Sequence, residues 1–192
     1  GICHALRGEG EWAQHDGLRA IGFEARVLAK QGEAVTLEKF IAYASTLDTA
    51  EEKLTATVQD ELAGAAEAGF EALAAEQRDF MAKFWQAADV TIEGDDLLQR
   101  GIRFNMFHLL QSAGRDGRTA IAAKGLTGLG YEGHFFWDTE IYVLPFFLYT
   151  QPEIARKLLE YRYHILDKAR ERAREMSHKQ GALYAWRTIN GA

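Results

Sequence analysis

The chain has 192 residues, 47% of them apolar and 26% charged, the makeup of a folded globular protein and not of a disordered or collagen-like one. Twenty-two Lys and Arg stand against 28 Asp and Glu, a net charge of -6 without a basic cluster, which argues against nucleic acid or an anionic membrane as partners. Cys3 is the only cysteine, so an internal disulfide and a cysteine-rich zinc module are excluded and a reducing compartment fits.

Residues 1–10 carry neither a basic leader nor the long apolar stretch of a secretion signal. Further on, the segments Leu18 to Ala29 and Val35 to Thr46 flank a short loop at 30–33, and Val35, Leu37, Ile41 and Tyr43 fall at alternate positions. This predicts a hairpin with one covered face. Two strands bury too little to stand alone, so the segment either rests on the helices that follow or belongs to a larger sheet. Thr49 followed by Glu52 has the form of a capping box, opening a helix with Leu54, Val58, Leu62 and Ala66 on one face and an interruption at Gly69. A second helical stretch gathers Phe70, Leu73, Phe80, Phe84 and Trp85 before giving way at 90–94.

Asp95 suits the N-cap of a helix running to about Ala113, with Leu98, Ile102, Phe104, Leu109 and Leu110 along it. A shorter helix is expected from Ile141 to Tyr149. This most apolar run is bracketed by Asp138, Glu140 and Pro145, and it falls short of the roughly 20 residues a bilayer span needs. The last helix is the most regular. Thr150 can cap it, Glu153 answers three residues on, Pro152 fits its first turn, and Ile154, Leu158, Tyr161, Ile165 and Ala169 recur every three or four residues. Its later part, Lys168 to Glu175, alternates basic and acidic side chains and reads as a solvated face.

Six glycines lie between Gly114 and Gly133, a shaped loop leading into His134, Phe135, Phe136, Trp137, Asp138, Thr139 and Glu140. Trp137 beside Asp138 suits a sugar, whose hydroxyls favour a charged acceptor and whose C–H patch rests on an indole face. A purely architectural reading stays open, with Trp137 packed among helices and Asp138 capping the one behind it. Asp138 and Glu140 are two residues apart and diverge on a helix, so they are a poor acid and base pair. The six histidines show no metal-binding spacing; His108 reads as a core or groove residue, and His134 lies within reach of a ligand. Lys124 precedes the glycines without the Lys-Ser/Thr ending of a phosphate loop.

The runs GIRFNMFHLLQSAGRDGR at 101–118 and AKGLTGLGYEGHFFWDTE at 123–140 resemble glycoside hydrolase family 65. The likeness continues through Leu144-Pro-Phe146, Tyr161-Arg-Tyr163, Leu166-Asp167, Ala169-Arg170 and Gly181 to Trp186. It implies a mainly α fold, a partial (α/α)6 barrel preceded by a helical linker and a short β-hairpin remnant of a β-sandwich. On this plan residues 1–48 close an N-terminal sandwich, 49–94 form the linker and 95–192 the first part of the catalytic barrel.

The resemblance also implies an inverting phosphorylase that cleaves an α-linked glucose disaccharide with inorganic phosphate to glucose 1-phosphate and a sugar. The alternatives are a trehalose-type hydrolase of the same family and a non-catalytic helical carbohydrate-binding module. Trp137 and Asp138 carry over as substrate-binding residues, with Tyr131 and His134 beside them. No catalytic residue carries over: the general acid is expected beyond Ala192, so this chain alone should turn over little. Neither a metal nor a cofactor is implied, phosphate being a co-substrate. The implied partners are the disaccharide, phosphate and the remainder of the same polypeptide, with a homodimer left open and a cytoplasmic location.

Overall fold

A computed structural model describes residues 2–17 and 20–191, with the side chains of 16–21 left aside. The chain divides into two compact units, Gly1–Asp79 and Phe80–Ala192. Among the described residues no helix is long and apolar enough to cross a membrane.

Among the described residues the first unit holds four strands: β1 (Ile2–Arg7), β2 (Glu11–Gly17), β3 (Ala20–Arg26) and β4 (Glu38–Tyr43). The expected pairing across the loop at 30–33 is not the one formed. β3 pairs antiparallel with β2, with Gly17 opposite Ala20, while β4 pairs with β1, with Ile2 opposite Tyr43. Leu18 and Arg19, at the start of the expected hairpin, lie outside the described residues. The covered face of β4 also has the opposite parity: Phe40 and Ala42 are buried, whereas Ile41 and Tyr43 are exposed. Arg7 helps to choose that face. Its guanidinium lies 5.7 Å from the centre of the Phe40 ring, reaches Glu38 at 3.6 Å, and donates to the Ala66 carbonyl at 2.7 Å.

Ala66 belongs to α1 (Leu54–Ala88), entered through a single 3-10 turn at Glu51–Lys53. The expected capping box at Thr49 is not made; Ala50 occupies the cap without a side-chain bond, and the Thr49 N–H donates to the Ser45 carbonyl. Val58 is buried, with Leu54, Leu62 and Ala66 partly covered on the same face. Gly69 breaks α1 as expected, with φ 80° and ψ 166°, a conformation that an L side chain resists.

In the second unit the end of α1 meets α2 (Asp96–Ser112), α3 (Leu144–Thr150), α4 (Pro152–His164) and α5 (Leu166–Glu175). Asp95 caps α2, accepting the Leu98 N–H at 2.9 Å. Phe84, Met106, Leu110, Phe147, Leu158 and Tyr161 form the heart of a continuous apolar core.

Two departures from the expected helices matter for the site. The turn before α3, Thr139–Val143, is a wide π turn in which the Leu144 N–H donates to the Thr139 carbonyl. Pro145 explains it, because its missing N–H leaves the Ile141 carbonyl without the ordinary helical donor. The long last helix is also two helices, broken at Ile165 with φ -95° and ψ 5°. The Tyr184 hydroxyl donates to the Arg162 carbonyl at 3.2 Å, taking the acceptor that the next turn would use, and His164 Nδ1 binds the Gly117 carbonyl at 2.8 Å. Thr150 does not cap α4; its hydroxyl turns back to the Phe146 carbonyl at 2.8 Å. Along α5 the charged side chains pair in sequence, Arg170 with Asp167 and Arg172 with Glu175, while Ala169 and Ala173 face inward.

Candidate functional site

The glycine-rich segment after α2 is held by side chains that fold it back on itself. Asp116 accepts the Arg118 and Thr119 N–H groups at 2.8 and 2.9 Å and the Thr119 hydroxyl at 2.9 Å. Burial works against its ionised form, yet these donors outweigh that cost and lower its pKa below the ordinary carboxylate value. Gly114 sits so close to the Thr119 carbonyl that no Cβ fits there. Further on, Ser112 donates to the His108 carbonyl at 2.6 Å and accepts the Leu126 N–H at 3.2 Å, pinning the segment to α2.

The chain then turns through Tyr131 and Glu132, both left-handed at φ 55° and 46°. The strain is held by bonds on each side. The His134 N–H donates to the Tyr131 carbonyl at 2.9 Å, and Glu132 pairs with Arg187. From there β5 (Phe135–Phe136) pairs antiparallel with β6 (Arg187–Thr188), with Phe136 opposite Arg187. This short ladder joins the glycine-rich segment to the far end of the unit.

A hollow of about 740 Å³ opens beside it, its wall including Asn105, His108, Lys124, Tyr131, Asp138 and Trp186. The Trp186 Nε1–H donates to Asp138 Oδ2 at 2.7 Å. Two further rings back this contact, Phe136 meeting Trp186 edge-on at 4.9 Å and Tyr131 meeting Phe136 at 5.3 Å. The Lys124 ammonium lies 5.7 Å from the centre of the Tyr131 ring, and the Gln111 amide donates to His108 Nδ1 at 2.6 Å. Polar groups of both signs among flat rings are the chemistry that holds a polyhydroxylated ligand.

Of the four residues expected at a site, Tyr131 and Asp138 line this hollow. Trp137 is 40% exposed and outside the lining; the indole that shares the hollow with Asp138 is Trp186. His134 also lies outside the lining, its Nδ1 at 2.7 Å from the Tyr131 carbonyl and 3.3 Å from an Arg187 nitrogen. Asp138 opens the π turn, yet its carboxylate caps no backbone N–H.

Glu140 is engaged elsewhere, receiving two hydrogen bonds of 2.8 Å from Arg162. The two carboxylates therefore serve different partners. Asn105, His108, Lys124 and Trp186 were not singled out as ligand contacts by spacing; Trp186 is 48 residues from Asp138, beyond any periodic signal. Among the described residues no group of three His, Cys, Asp or Glu could hold a metal ion.

Two family descriptions match the chain: the glycosyl hydrolase family 65 N-terminal domain over residues 2–84, and the central catalytic domain of that family over 103–192. The chain belongs to glycosyl hydrolase family 65. An alpha,alpha-trehalose phosphorylase of Thermoanaerobacter brockii is 57% identical over 178 residues, 93% of this chain and 22% of the relative. One from Geobacillus stearothermophilus is 66% identical over 122 residues, 64% of this chain and 16% of that protein. A kojibiose phosphorylase of Halothermothrix orenii is 52% identical over 122 residues, 63% of this chain and 16% of its own length. A solved structure from the human microbiome, provisionally named a kojibiose phosphorylase, superimposes with a TM-score of 0.79 at 28% identity. The match covers 99% of this chain and 25% of that one. The mainly helical fold with small β pairs is thus that of part of the family's helical-barrel architecture. The chain spans about a fifth of the length of the first two relatives.

Proposed function

We propose that the chain is part of an inverting disaccharide phosphorylase, in which it supplies one wall of the glucose-binding site. The observation that carries this reading is the Asp138 carboxylate held in a hollow of about 740 Å³ among the Tyr131 and Trp186 rings. Asp138 grips glucosyl hydroxyls there, with Tyr131 beside it; Trp137 and His134, expected as further contacts, flank the wall outside its lining. Phosphate then attacks the anomeric carbon from the face opposite the scissile bond, while an acid from elsewhere in the polypeptide protonates the leaving oxygen. The engagement of Glu140 with Arg162 supports a binding role for this segment and a proton donor outside it.

Residues 1–48, 49–94 and 95–192 are assigned as sandwich end, linker and first part of the barrel. The reading carries no cofactor and takes disaccharide and phosphate as ligands. A cytoplasmic location belongs to the same reading, and the free thiol of Cys3 fits a reducing compartment. The names of the relatives favour trehalose first and kojibiose second as substrate.

The test is to express the complete reading frame and incubate it with each sugar, with and without inorganic phosphate. The expected product is glucose 1-phosphate of inverted, β configuration, formed only with phosphate. Free glucose released at the same rate without phosphate would identify the hydrolase alternative, and no consumption of either sugar would overturn both.

A further inference from the structure

Trp186 and Asp138 meet although neither lies on the other's element. Trp186 immediately precedes β6, and Asp138 follows β5 by two positions, so the ladder that sets Arg187 opposite Phe136 brings the indole back over the carboxylate. The indole is 57% exposed, and it is held on one side by a ring and through the backbone of the residues that follow it. Phe136, itself buried, presents a ring at 77° to it, and Arg187 is tied to Glu132. On the following residue, the Thr188 hydroxyl is buried and accepts the Gly191 N–H at 2.7 Å. A bond from a fixed N–H to a charged oxygen is directional, and it restrains the rotation of the carboxylate. Only Oδ2 is used: among the described residues no hydrogen bond reaches Oδ1 of Asp138.

We propose that Trp186 is a positioning residue of the sugar site. Its Nε1–H locks Oδ2 of Asp138 and thereby turns Oδ1 toward the hollow as the acceptor for a ligand hydroxyl. The role in sugar binding rests on the function proposed above; the locking of the carboxylate does not. A carboxylate free to rotate would spend orientation entropy when it bound a hydroxyl, and the indole removes that cost before the ligand arrives. Trp137, the indole adjacent in sequence, makes no such bond and stands outside the lining.

The experiment uses the protein expressed from its complete reading frame and two readouts. Trp186→Phe keeps a flat ring and removes the N–H, and it is expected to weaken D-glucose binding about tenfold. In an Asp138→Ala background the same change is expected to cost less than twofold, because the group through which Trp186 acts is gone. An undiminished tenfold loss there, or no loss in either background, would overturn the proposal. The second readout needs no sugar. With 5-fluorotryptophan incorporated, the resonance assigned to residue 186 is expected to move on Asp138→Ala and to stay in place on Asp167→Ala. A resonance that ignores Asp138 overturns the positioning role even where glucose binds. One that moves in a protein with no affinity for glucose upholds the locking and removes the sugar reading.

Discussion

Arg162 on α4 grips Glu140 on the π turn through two hydrogen bonds of 2.8 Å, Nε to Oε1 and Nη2 to Oε2. Arg162 is only 8% exposed, its guanidinium lies 5.3 Å from the centre of the Tyr161 ring, and Nη1 makes no hydrogen bond among the described residues. The pair holds the turn that carries Asp138 against the core. Removing one partner strands the other charge away from water. Arg162→Met or Glu140→Gln is therefore expected to cost roughly 3–5 kcal/mol, and the double change Glu140→Leu with Arg162→Met markedly less than either. Urea denaturation of the four proteins measures it, and equal losses in all three variants would sink the argument.

The cap of α2 makes a smaller and cleaner case. Asp95→Ala loses the bond to the Leu98 N–H and is expected to destabilise by about 1 kcal/mol, whereas Asp95→Asn keeps an acceptor and should stay close to the parent. Thermal melting resolves the difference.

The lowered pKa of Asp116 gives a sign for acid. Its folded value lies below the ordinary 3.8, so its contribution is complete above that value and is lost as pH falls through the folded one. Asp116→Asn should consequently be less stable than the parent near neutrality. The gap should close progressively as the medium is acidified below about pH 4, where the parent's own carboxyl loses its charge. Denaturant midpoints across the acid range test this, and a gap that widened in acid would reverse the assigned sign.

Glycines separate into two kinds. At Gly101, inside α2, a Cβ would meet nothing within 4 Å, so Gly101→Ala is expected to stabilise by about 0.5–1 kcal/mol. At Gly114 the same atom would strike the Thr119 backbone, and relief would require opening the turn that Asp116 closes. Gly114→Ala is expected to cost about 1–3 kcal/mol and to weaken sugar binding as the neighbouring wall shifts. Melting curves of the two variants should move in opposite directions.

The elements most legible in the sequence were those whose stabilising contacts are local. The stripe Ile154, Leu158, Tyr161 and Ile165, the Asp95 cap and the Gly69 interruption all depend on residues within a few positions of one another. Strand pairing was misread because alternation fits either partner equally well, and the choice of the Phe40 face was made by Arg7 with help from Ala66 on a helix. The break at Ile165 was hidden because the apolar stripe runs straight through it, while its cause, the Tyr184 hydroxyl, lies 22 residues beyond Arg162. At the candidate site, Asp138 was expected from its chemistry and from family likeness and Tyr131 from the likeness alone, and both line the hollow; the geometry set a different indole beside Asp138 because a two-residue ladder, too short to show any period, decides it.

That ladder also sets an order of events during synthesis. Phe136 leaves the ribosome long before Arg187, and Asp138 precedes Trp186 by 48 residues. At about 5–20 residues per second, roughly two to ten seconds of translation separate the two halves of the contact. Local helices close in microseconds, so α3, α4 and α5 emerge with time to form before β6 exists to pair. The indole beside Asp138 is consequently added after the rest of the wall, and a ribosome stalled short of Trp186 would hold the helices with that side of the hollow still open.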